Sequence, residues 1–573
     1  MNDFEKEMDN PDPNYCDDFT DCNPDDWSKD RKELGLTNDD IHAGIRFVTI
    51  QEKLFTDIGA MHDMTDNDTS TKDQLNFKQR LLYDEIEDLG VFPLFVDGKI
   101  VKPLYLNVCG KAGCGKSFVL KICRRHYLSE DKPDFMKIGG PTGSAAFLVK
   151  GTTLHKMLKL KINNSQGPIK DLKGKALEDL QTAFEDVHLL VIDEKSMIGQ
   201  YMLYMIDRRL REAKPTQAHL PFGGVSVVLM GDFGQLVPVK DPPLYAEHEE
   251  GSKWARNPQI NAGKHLFKSL FVQNTIILDE VMRQGKGQER FKETLERLRD
   301  GKFNKDDWDY FKDNCELQSP KYTEEERNAV RGSAIKVCAL NRDLKNHNLA
   351  RIKALGQPLA KIKSDNEGKG SGSTPAREAG NLLPDIVLAK GCRILLSTNL
   401  WQPVGLTNGA VGTVKYIIYK ENEAPPALPA FLLCHFDQYI GPSFIEGEEK
   451  LVPIAPVTRT WYPQPNVIAS RTMLPMKPGY AISIHASQGE TLHKVIVDLG
   501  PREFAVGLTY VACSRVKRIE DLFFEKMPHV GRFNRFSKSK SFIERFNYEQ
   551  GEKEAEAKFV ASIVEKREKK KDN

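Results

Sequence analysis

The sequence predicts an α/β fold of parallel strands covered by helices, and three observations carry that expectation. Short apolar runs at 104–108, 189–192, 225–229 and 335–339 have the length and composition of strands buried on both faces. Stretches with helical apolar spacing, at 75–86 and 201–212 among others, alternate with them. Between the first strand and an apolar helix at 118–127 stands a glycine-rich loop, Gly110-Lys111-Ala112-Gly113-Cys114-Gly115-Lys116-Ser117.

From the N-terminus onward, residues 1–70 are polar and poor in periodicity, and are expected to form a mostly disordered leader. The first 40 residues hold 14 acidic and 4 basic side chains, whereas the other 533 hold 78 basic against 67 acidic. An acidic leader on a basic body suits a polyanion-binding protein, although such leaders also serve only as solvated tails. The opening residues have neither a signal-peptide core nor an arginine-rich transit pattern, and no apolar run reaches the roughly 18 residues of a membrane span. An intracellular protein with no membrane partner is therefore expected. The ten cysteines form no CxxC pair and sit mostly in apolar runs, so they read as reduced core residues rather than zinc ligands or disulfides.

A first domain is expected over 71–275, with a short wedge insert at about 156–187. A second follows over 276–546. Its middle carries a glycine- and serine-rich stretch at 367–375, read as a flexible linker or loop, and then short β-type runs at 393–397, 411–418 and 431–436. That texture predicts a small β-barrel inserted at about 400–475. Residues 547–573 read as a charged helical tail, whose Lys566-Arg-Glu-Lys-Lys-Lys571 is either a nuclear signal or a solvated face.

The glycine-rich loop has the spacing and the strand-to-helix setting of a phosphate-binding loop, which makes the fold a P-loop NTPase. Its backbone N–H groups can turn inward at a helix N-terminus and cradle an anion. Lys116 would then reach the β- and γ-phosphates of ATP, and Ser117 would ligate Mg2+. Leu189-Leu-Val-Ile-Asp193-Glu194 ends a second strand with two carboxylates: Asp193 suits the metal, and Glu194 suits the attacking water. Gly231-Asp-Phe-Gly-Gln235 ends a third, placing an amide where it can sense the γ-phosphate.

Further segments complete a series. They are Gly140-Pro-Thr142-Gly, Gly151-Thr-Thr153-Leu-His155, Leu278-Asp-Glu-Val-Met-Arg283-Gln284, Leu406-Thr-Asn408-Gly, Ala481-Ile-Ser-Ile-His485-Ala-Ser487-Gln488-Gly489 and Thr509-Tyr-Val-Ala-Cys-Ser-Arg515. In this order, over about 75–546, the chain resembles superfamily-one DNA helicases of the Pif-one type. Tyr204-Met-Ile-Asp-Arg-Arg-Leu210 followed by Pro221-Phe-Gly-Gly224 is similar to the subgroup carried by Helitron transposons. The resemblance implies two RecA-like parallel-sheet domains, with the β-insert as an accessory domain. It implies ATP-driven, 5′-to-3′ movement on single-stranded DNA and unwinding of tailed duplexes, by a monomer with no protein partner specified. Roles in repair, recombination and telomere maintenance, and a nuclear location, come with it.

The resemblance also assigns residues. Gln79 would read the adenine edge, and Gly489 would line the nucleotide. Arg283 and Arg515 would reach the γ-phosphate from the second domain. Thr142, Thr153, His155, Asn341, Asn408, His485 and Ser487 would line the single-strand path. Three positions depart from the pattern: Ala486 replaces a basic residue, Lys195 an aliphatic one and Val237 a proline. Three rival readings use the same motifs, namely a RecD-like subunit of a nuclease complex, a coupling-impaired, DNA-binding remnant of a transposon helicase, and an RNA motor, since backbone tracking discriminates poorly between the two polymers.

Overall fold

The computed structural model describes residues 24–57, 71–91, 95–96, 99–100, 103–130, 132, 134–141, 152–160, 167–368, 370–376, 379–401, 404–447, 450–464, 467–501 and 505–571. The chain divides into two compact units, each assembled from two stretches. A smaller one comprises Met1–Thr69 with Ala334–Ser483, and a larger one Ser70–Ser333 with Ile484–Asn573.

The smaller unit begins with a departure from expectation. Part of the supposedly disordered leader forms α1 (Pro24–Glu33) and α2 (Asn38–Asp57). A few apolar side chains among many acids dock these helices. Trp27 is buried edge-on against Tyr419, with ring centroids 6.0 Å apart, and Ile41 packs with Phe431 and Leu433. Asp30 accepts from the Ile417 amide at 3.1 Å and pairs with Lys390 at 3.0 Å. Overall acidity hid this face, because docking needs only one apolar stripe.

The larger unit is organised by an all-parallel sheet. In chain order its elements are α3 (Phe77–Val91), β1 (Tyr105–Gly110), α4 (Lys116–Ser129), β2 (Met136–Gly140) and β3 (Thr152–Thr153). They continue with α5 (Lys175–Phe184), β4 (Leu189–Ile192), α6 (Gln200–Ala213), β5 (Ser226–Gly231), α7 (Pro258–Leu270), β6 (Thr275–Leu278) and α8 (Glu289–Arg299). The strand order is β3-β2-β4-β5-β1-β6. Alternate residues of each strand feed two cores. Leu106, Val108, Leu189, Val191, Val228 and Met230 meet α3 and α4, while Tyr105, Leu190, Ile192, Val227 and Leu229 meet α6 and α7. Burial on both faces explains why these strands read as continuous apolar runs. The expected boundary at 275 is not a division of the fold. Asn107↔Thr275 through Gly110↔Leu278 pair as neighbours, so β6 completes the first sheet. Of the expected wedge insert, α5 is helical and 161–166 lie outside the described residues.

Back in the smaller unit, β7 (Ile335–Cys338), α9 (Asn341–Lys353), β8 (Ala360–Lys363), β9 (Asp365–Glu367) and β10 (Asp385–Leu388) precede β11 (Arg393–Leu396). Then come β12 (Val411–Ile418), β13 (Phe431–Phe436), β14 (Leu451–Ile454), β15 (Val457–Gln464), β16 (Val467–Met473), β17 (Met476–Pro478) and β18 (Ala481–Ser483). Strands β14-β13-β12-β11-β17 form one antiparallel sheet and β9-β16-β15 another, while β7 and β18 pair in parallel. The expected barrel is thus two antiparallel sheets, and no pairing among the described residues closes either one. The stretch at 367–375, expected to be flexible, is gathered by one buried guanidinium. Arg471 donates to the carbonyls of Ser371 (2.7 Å), Thr374 (3.0 Å) and Leu382 (2.9 Å), and to Asn366 Oδ1 (2.8 Å). Composition could not reveal a partner a hundred residues away.

The last stretch returns to the larger unit with β19 (Val495–Asp498), α10 (Leu508–Cys513), β20 (Leu522–Phe523) and α11 (Lys540–Lys571). The tail read as a charged end is a packed element. Ile563, Phe559 and Val560 of α11 join the core around α3. Within its basic cluster, Arg567 pairs with Asp84 and Glu85, and Lys569 with Glu565.

Candidate active site

Because β1, β4, β5 and β6 are parallel neighbours, their C-terminal ends lie along one edge of the sheet. That is where α/β proteins bind ligands. The four loops that leave this edge carry Gly110–Ser117, Asp193-Glu194, Asp232–Gln235 and Asp279–Arg283. They surround a cavity of about 560 Å³ lined by Ala112, Gly113, Gly115, Lys116, Ser117, Asp193, Glu194, Gln235, Arg283, Gly489 and Arg515. Both arginines, expected from a second domain, belong to the same compact unit as the phosphate loop.

The loop itself is close-fitted. Gly113 and Gly115 have φ of +84° and +81°, which L side chains rarely adopt. A Cβ on Gly113 would stand 2.4 Å from Arg283 Cβ, and one on Gly115 2.5 Å from Gln79 Nε2. Lys111 is salt-bridged to Glu296 at 2.8 Å. Lys116 is buried, and its Nζ donates back to the carbonyls of Gly110 (2.8 Å) and Lys111 (3.1 Å). Burial works against its charge, yet Cys114, Glu194, Asp232 and Asp193 around it hold its pKa above the ordinary lysine value.

The carboxylates stand opposite. Asp193 accepts from the Glu194 amide at 2.9 Å, and its pKa is raised by burial and by Glu194, against the pull of Lys116. Glu194 is held at φ +57°, ψ +46°, a left-handed conformation costly for a non-glycine residue. Its Oε2 accepts from Gln488 Nε2 at 3.0 Å. On the third side are two guanidinium groups. Arg515 is fully buried and donates to the carbonyls of Val511, Ser487 and Glu490 and to Ser514 Oγ. Burial, and then Arg283 beside it, bring its pKa down to about 9. Arg283 donates to the Ser514 carbonyl at 2.9 Å, and burial lowers its pKa as well.

Two crowded cations whose bonds go to neutral groups, with an ammonium across a cavity, make a site that favours a polyanion. Gln235, whose buried Oε1 has no hydrogen-bond partner among the described residues, lines the same space. A hydroxyl and a carboxylate on the wall, Ser117 and Asp193, suit Mg2+ bound jointly with phosphate oxygens. A nucleoside triphosphate with its metal fits these groups.

The model of the PIF1-like helicase family matches residues 74–309, the stretch that carries these loops. Over that stretch the chain is similar to this family. An ATP-dependent DNA helicase of Trypanosoma brucei, PIF6, is 28% identical over 423 residues, covering 72% of this chain and 50% of that protein. Pif1 of Campylobacter jejuni is 26% identical, covering 71% and 85%. Human PIF1 is 27% identical, covering 74% and 58%. The chain thus spans little more than half the length of the trypanosome and human relatives. The fold is that of the crystal structure of Pif1 helicase from Candida albicans, with a TM-score of 0.59 at 22% identity over 82% of this chain and 99% of that one. Bacteroides Pif1, solved with ADP-AlF3 and single-stranded DNA, gives 0.55 at 23% identity over 80% and 97%.

Other residues assigned from the resemblance to PIF1-like helicases fall in varied places. Gln79 is buried against the outside of the phosphate loop, donating to the Cys114 carbonyl at 3.1 Å. Thr153 caps a short helix through Lys156 N, and His155 follows it, partly buried with its pKa lowered by that burial. His485 is partly buried too, and its pKa is lowered for the same reason. In the smaller unit, Asn341 opens α9, and the Asn408 amide donates to Asn399 Oδ1 at 2.8 Å. Thr142 lies outside the described residues. Ser487 departs from its assignment. It is fully buried, its hydroxyl donates to the Ile484 carbonyl at 2.8 Å and its own carbonyl holds Arg515, so it braces the arginine instead of facing a strand.

Several residues of the site were not singled out in the sequence. Gln488 touches Glu194 directly. The Tyr510 hydroxyl accepts from the Ala112 amide at 3.3 Å. Asp232 is buried and held by Arg299 of α8, itself paired with Glu549 of α11. Gln488, Tyr510 and Asp232 stand inside quoted motifs, a signal that was available. Arg299 and Glu549 carry no local signal.

Proposed function

We propose that this chain is an ATP-dependent DNA helicase, a motor that hydrolyses ATP·Mg2+ in the cavity at the sheet edge and moves along single-stranded DNA. The observation that carries the reading is the convergence of Lys116, Arg283 and Arg515 on a cavity also walled by Asp193 and Glu194. Lys116 binds the β- and γ-phosphates, and the loop amides hold the remaining charge. Arg283 and Arg515 stabilise charge that grows on the transferring group, an effect worth roughly 10³–10⁵ in rate for an arginine finger. Glu194 takes the proton of the attacking water, with Gln488 fixing its carboxylate. Ser117 and Asp193 hold Mg2+, which supplies charge neutralisation of the phosphates when bound.

The DNA substrate and the 5′-to-3′ direction rest on the family and on names such as ATP-dependent DNA helicase borne by the relatives. Action as a monomer, a nuclear location and service in repair, recombination or telomere maintenance extend the same likeness. No helix of the described residues is long and apolar enough to cross a membrane.

Strand displacement on 5′-tailed and 3′-tailed duplexes, with ATP and with a non-hydrolysable analogue, tests the reading. Unwinding of the 5′-tailed substrate with ATP alone is expected. Unwinding of the 3′-tailed substrate alone would overturn the direction, and unwinding of neither would overturn the motor. Lys116→Ala should abolish DNA-stimulated ATP hydrolysis, and retained turnover would refute the assignment of the cavity.

A further inference from the structure

Lys195, the residue that breaks the aliphatic pattern beside Glu194, is fully buried. Among the described residues it has no carboxylate within ion-pair distance, and an isolated buried ammonium costs several kcal/mol. Its Nζ donates instead to Asn107 Oδ1 (2.5 Å) and to Cys109 Sγ (2.8 Å), and lies 4.5 Å from the centre of the Phe233 ring. Asn107 and Cys109 are two apart on β1 and so share one face of the sheet. Both pass the interaction on to a single atom. Asn107 Nδ2 donates to Glu552 Oε1 at 2.8 Å, and the Cys109 thiol to the same oxygen at 3.0 Å. Lys195 and Glu552 therefore close a ring of four hydrogen bonds through two bridging side chains. Glu552 is itself buried, midway along α11.

The anchored lysine sits immediately after Glu194, whose left-handed backbone is a strained state that persists only when its surroundings over-determine it. On the other side, Gly231 leaves room for the Lys195 backbone, since a Cβ there would stand 2.7 Å from Lys195 N. We propose that Glu552 is a positioning residue for Glu194. Through Asn107 and Cys109 it supplies the counter-charge that keeps Lys195 buried, and Lys195 in turn fixes the backbone from which Glu194 reaches the cavity. Hydrolysis at the sheet edge then depends on α11 being docked. The inference rests on Glu194 acting on water, as proposed above.

The test compares Glu552→Gln, Lys195→Met and the double variant Lys195→Met/Glu552→Leu with the parent full-length chain. Steady-state ATP hydrolysis is measured with single-stranded DNA, together with binding of a fluorescent ADP and hydrogen exchange of the segment 189–198. Glu552→Gln keeps the shape but removes the charge. It should lower kcat about tenfold, with KM and ADP affinity held within twofold, as expected when a catalytic group is displaced but the pocket is intact. Exchange in 189–198 should quicken. The double variant, needing no counter-charge, should recover most of the kcat and the slow exchange. A Glu552→Gln chain with parental kcat and parental exchange overturns the proposal, as does an equal loss of kcat and ADP affinity. A parent chain that hydrolyses no ATP refutes the motor reading, and the exchange comparison still decides the relay.

Discussion

Arg299 offers the sharpest measure of how the loop after β5 is held, because its buried guanidinium is shared by three carboxylates, Asp232, Glu549 and Asp300. Its Nε and Nη2 donate to Asp232 Oδ1 at 3.0 and 2.7 Å, while Nη2 and Nη1 reach Glu549 at 2.5 and 3.1 Å. Burial pushes the Asp232 carboxyl up, but Arg299 overrides it and brings the pKa to about 2 against an ordinary 3.8. That depression corresponds to about 2–3 kcal/mol of native-state stabilisation. Arg299→Met removes it and leaves a buried carboxylate with only the Gly234 amide and the more distant Lys116, so a loss of roughly 3–5 kcal/mol is expected at pH 7. The sign with pH follows. A depressed folded-state pKa gives stability that is complete above about 4 and is lost as pH falls towards 2. In the variant, Asp232 without its guanidinium becomes easier to tolerate as it is protonated. The gap between parent and variant should therefore narrow on acidification. Chemical denaturation read by amide exchange of β1 and β5 reports this unit directly. A gap under about 1 kcal/mol at pH 7, or one that does not change between pH 5 and 2, would refute the argument.

Other perturbations probe neighbouring features. Gln488→Ala removes the hydrogen bond to Glu194 Oε2, and since such a bond to a charged group is worth about 1.5–3 kcal/mol, kcat for ATP should fall roughly 10- to 100-fold with KM unchanged. Steady-state kinetics showing only a KM change would contradict this. Gly113→Ala places a Cβ 2.4 Å from Arg283 Cβ at a φ of +84°, so ADP titration should show at least about a tenfold loss of affinity, and parental affinity would count against a close-fitted loop. Trp27→Ala empties a buried site in the smaller unit and should cost about 3–5 kcal/mol there, exposing 24–57 to limited proteolysis. Unchanged protection of that segment would mean that Trp27 does not anchor it.

Much of the larger unit was legible because its signals are local. Buried parallel strands read as apolar runs, and the loops that follow them carry glycines and carboxylates whose spacing is dictated by phosphate chemistry. Strands β2 and β6 escaped notice. Met136-Lys-Ile-Gly-Gly140 is interrupted by glycine and lysine, but Thr275-Ile-Ile-Leu278 is as long as Leu189–Ile192, so its signal was available. The misplaced boundary at 275 followed from missing β6. The pair Tyr204–Leu210 and Pro221–Gly224, read as a family signature, has a packing reason. Asp207 accepts from the Phe222 amide at 2.6 Å, and a Cβ on Gly223 would meet the Leu210 carbonyl at 2.4 Å. What remained illegible are partnerships across about ninety residues or more: Arg471 with the 371–382 carbonyls, Arg299 with Glu549, and Lys195 with Glu552. Lys195 in particular read as a blemish beside the base, and only the fold supplies the acid that balances it.

The covering of the first sheet by α11 also sets a timetable for the chain as it is made. The core that Ile563 completes includes β1, β4 and β5, all translated long before it. Some 230 residues separate the end of the first stretch of this unit from Ile563, which at about 5–20 residues per second is a delay of roughly 10–50 s. Through that interval the apolar side chains that Phe559, Val560 and Ile563 will meet, and Lys195 on the opposite face of the sheet, are without their partners from α11. A chaperone arriving at this stage would find the apolar surface that Phe559, Val560 and Ile563 later cover.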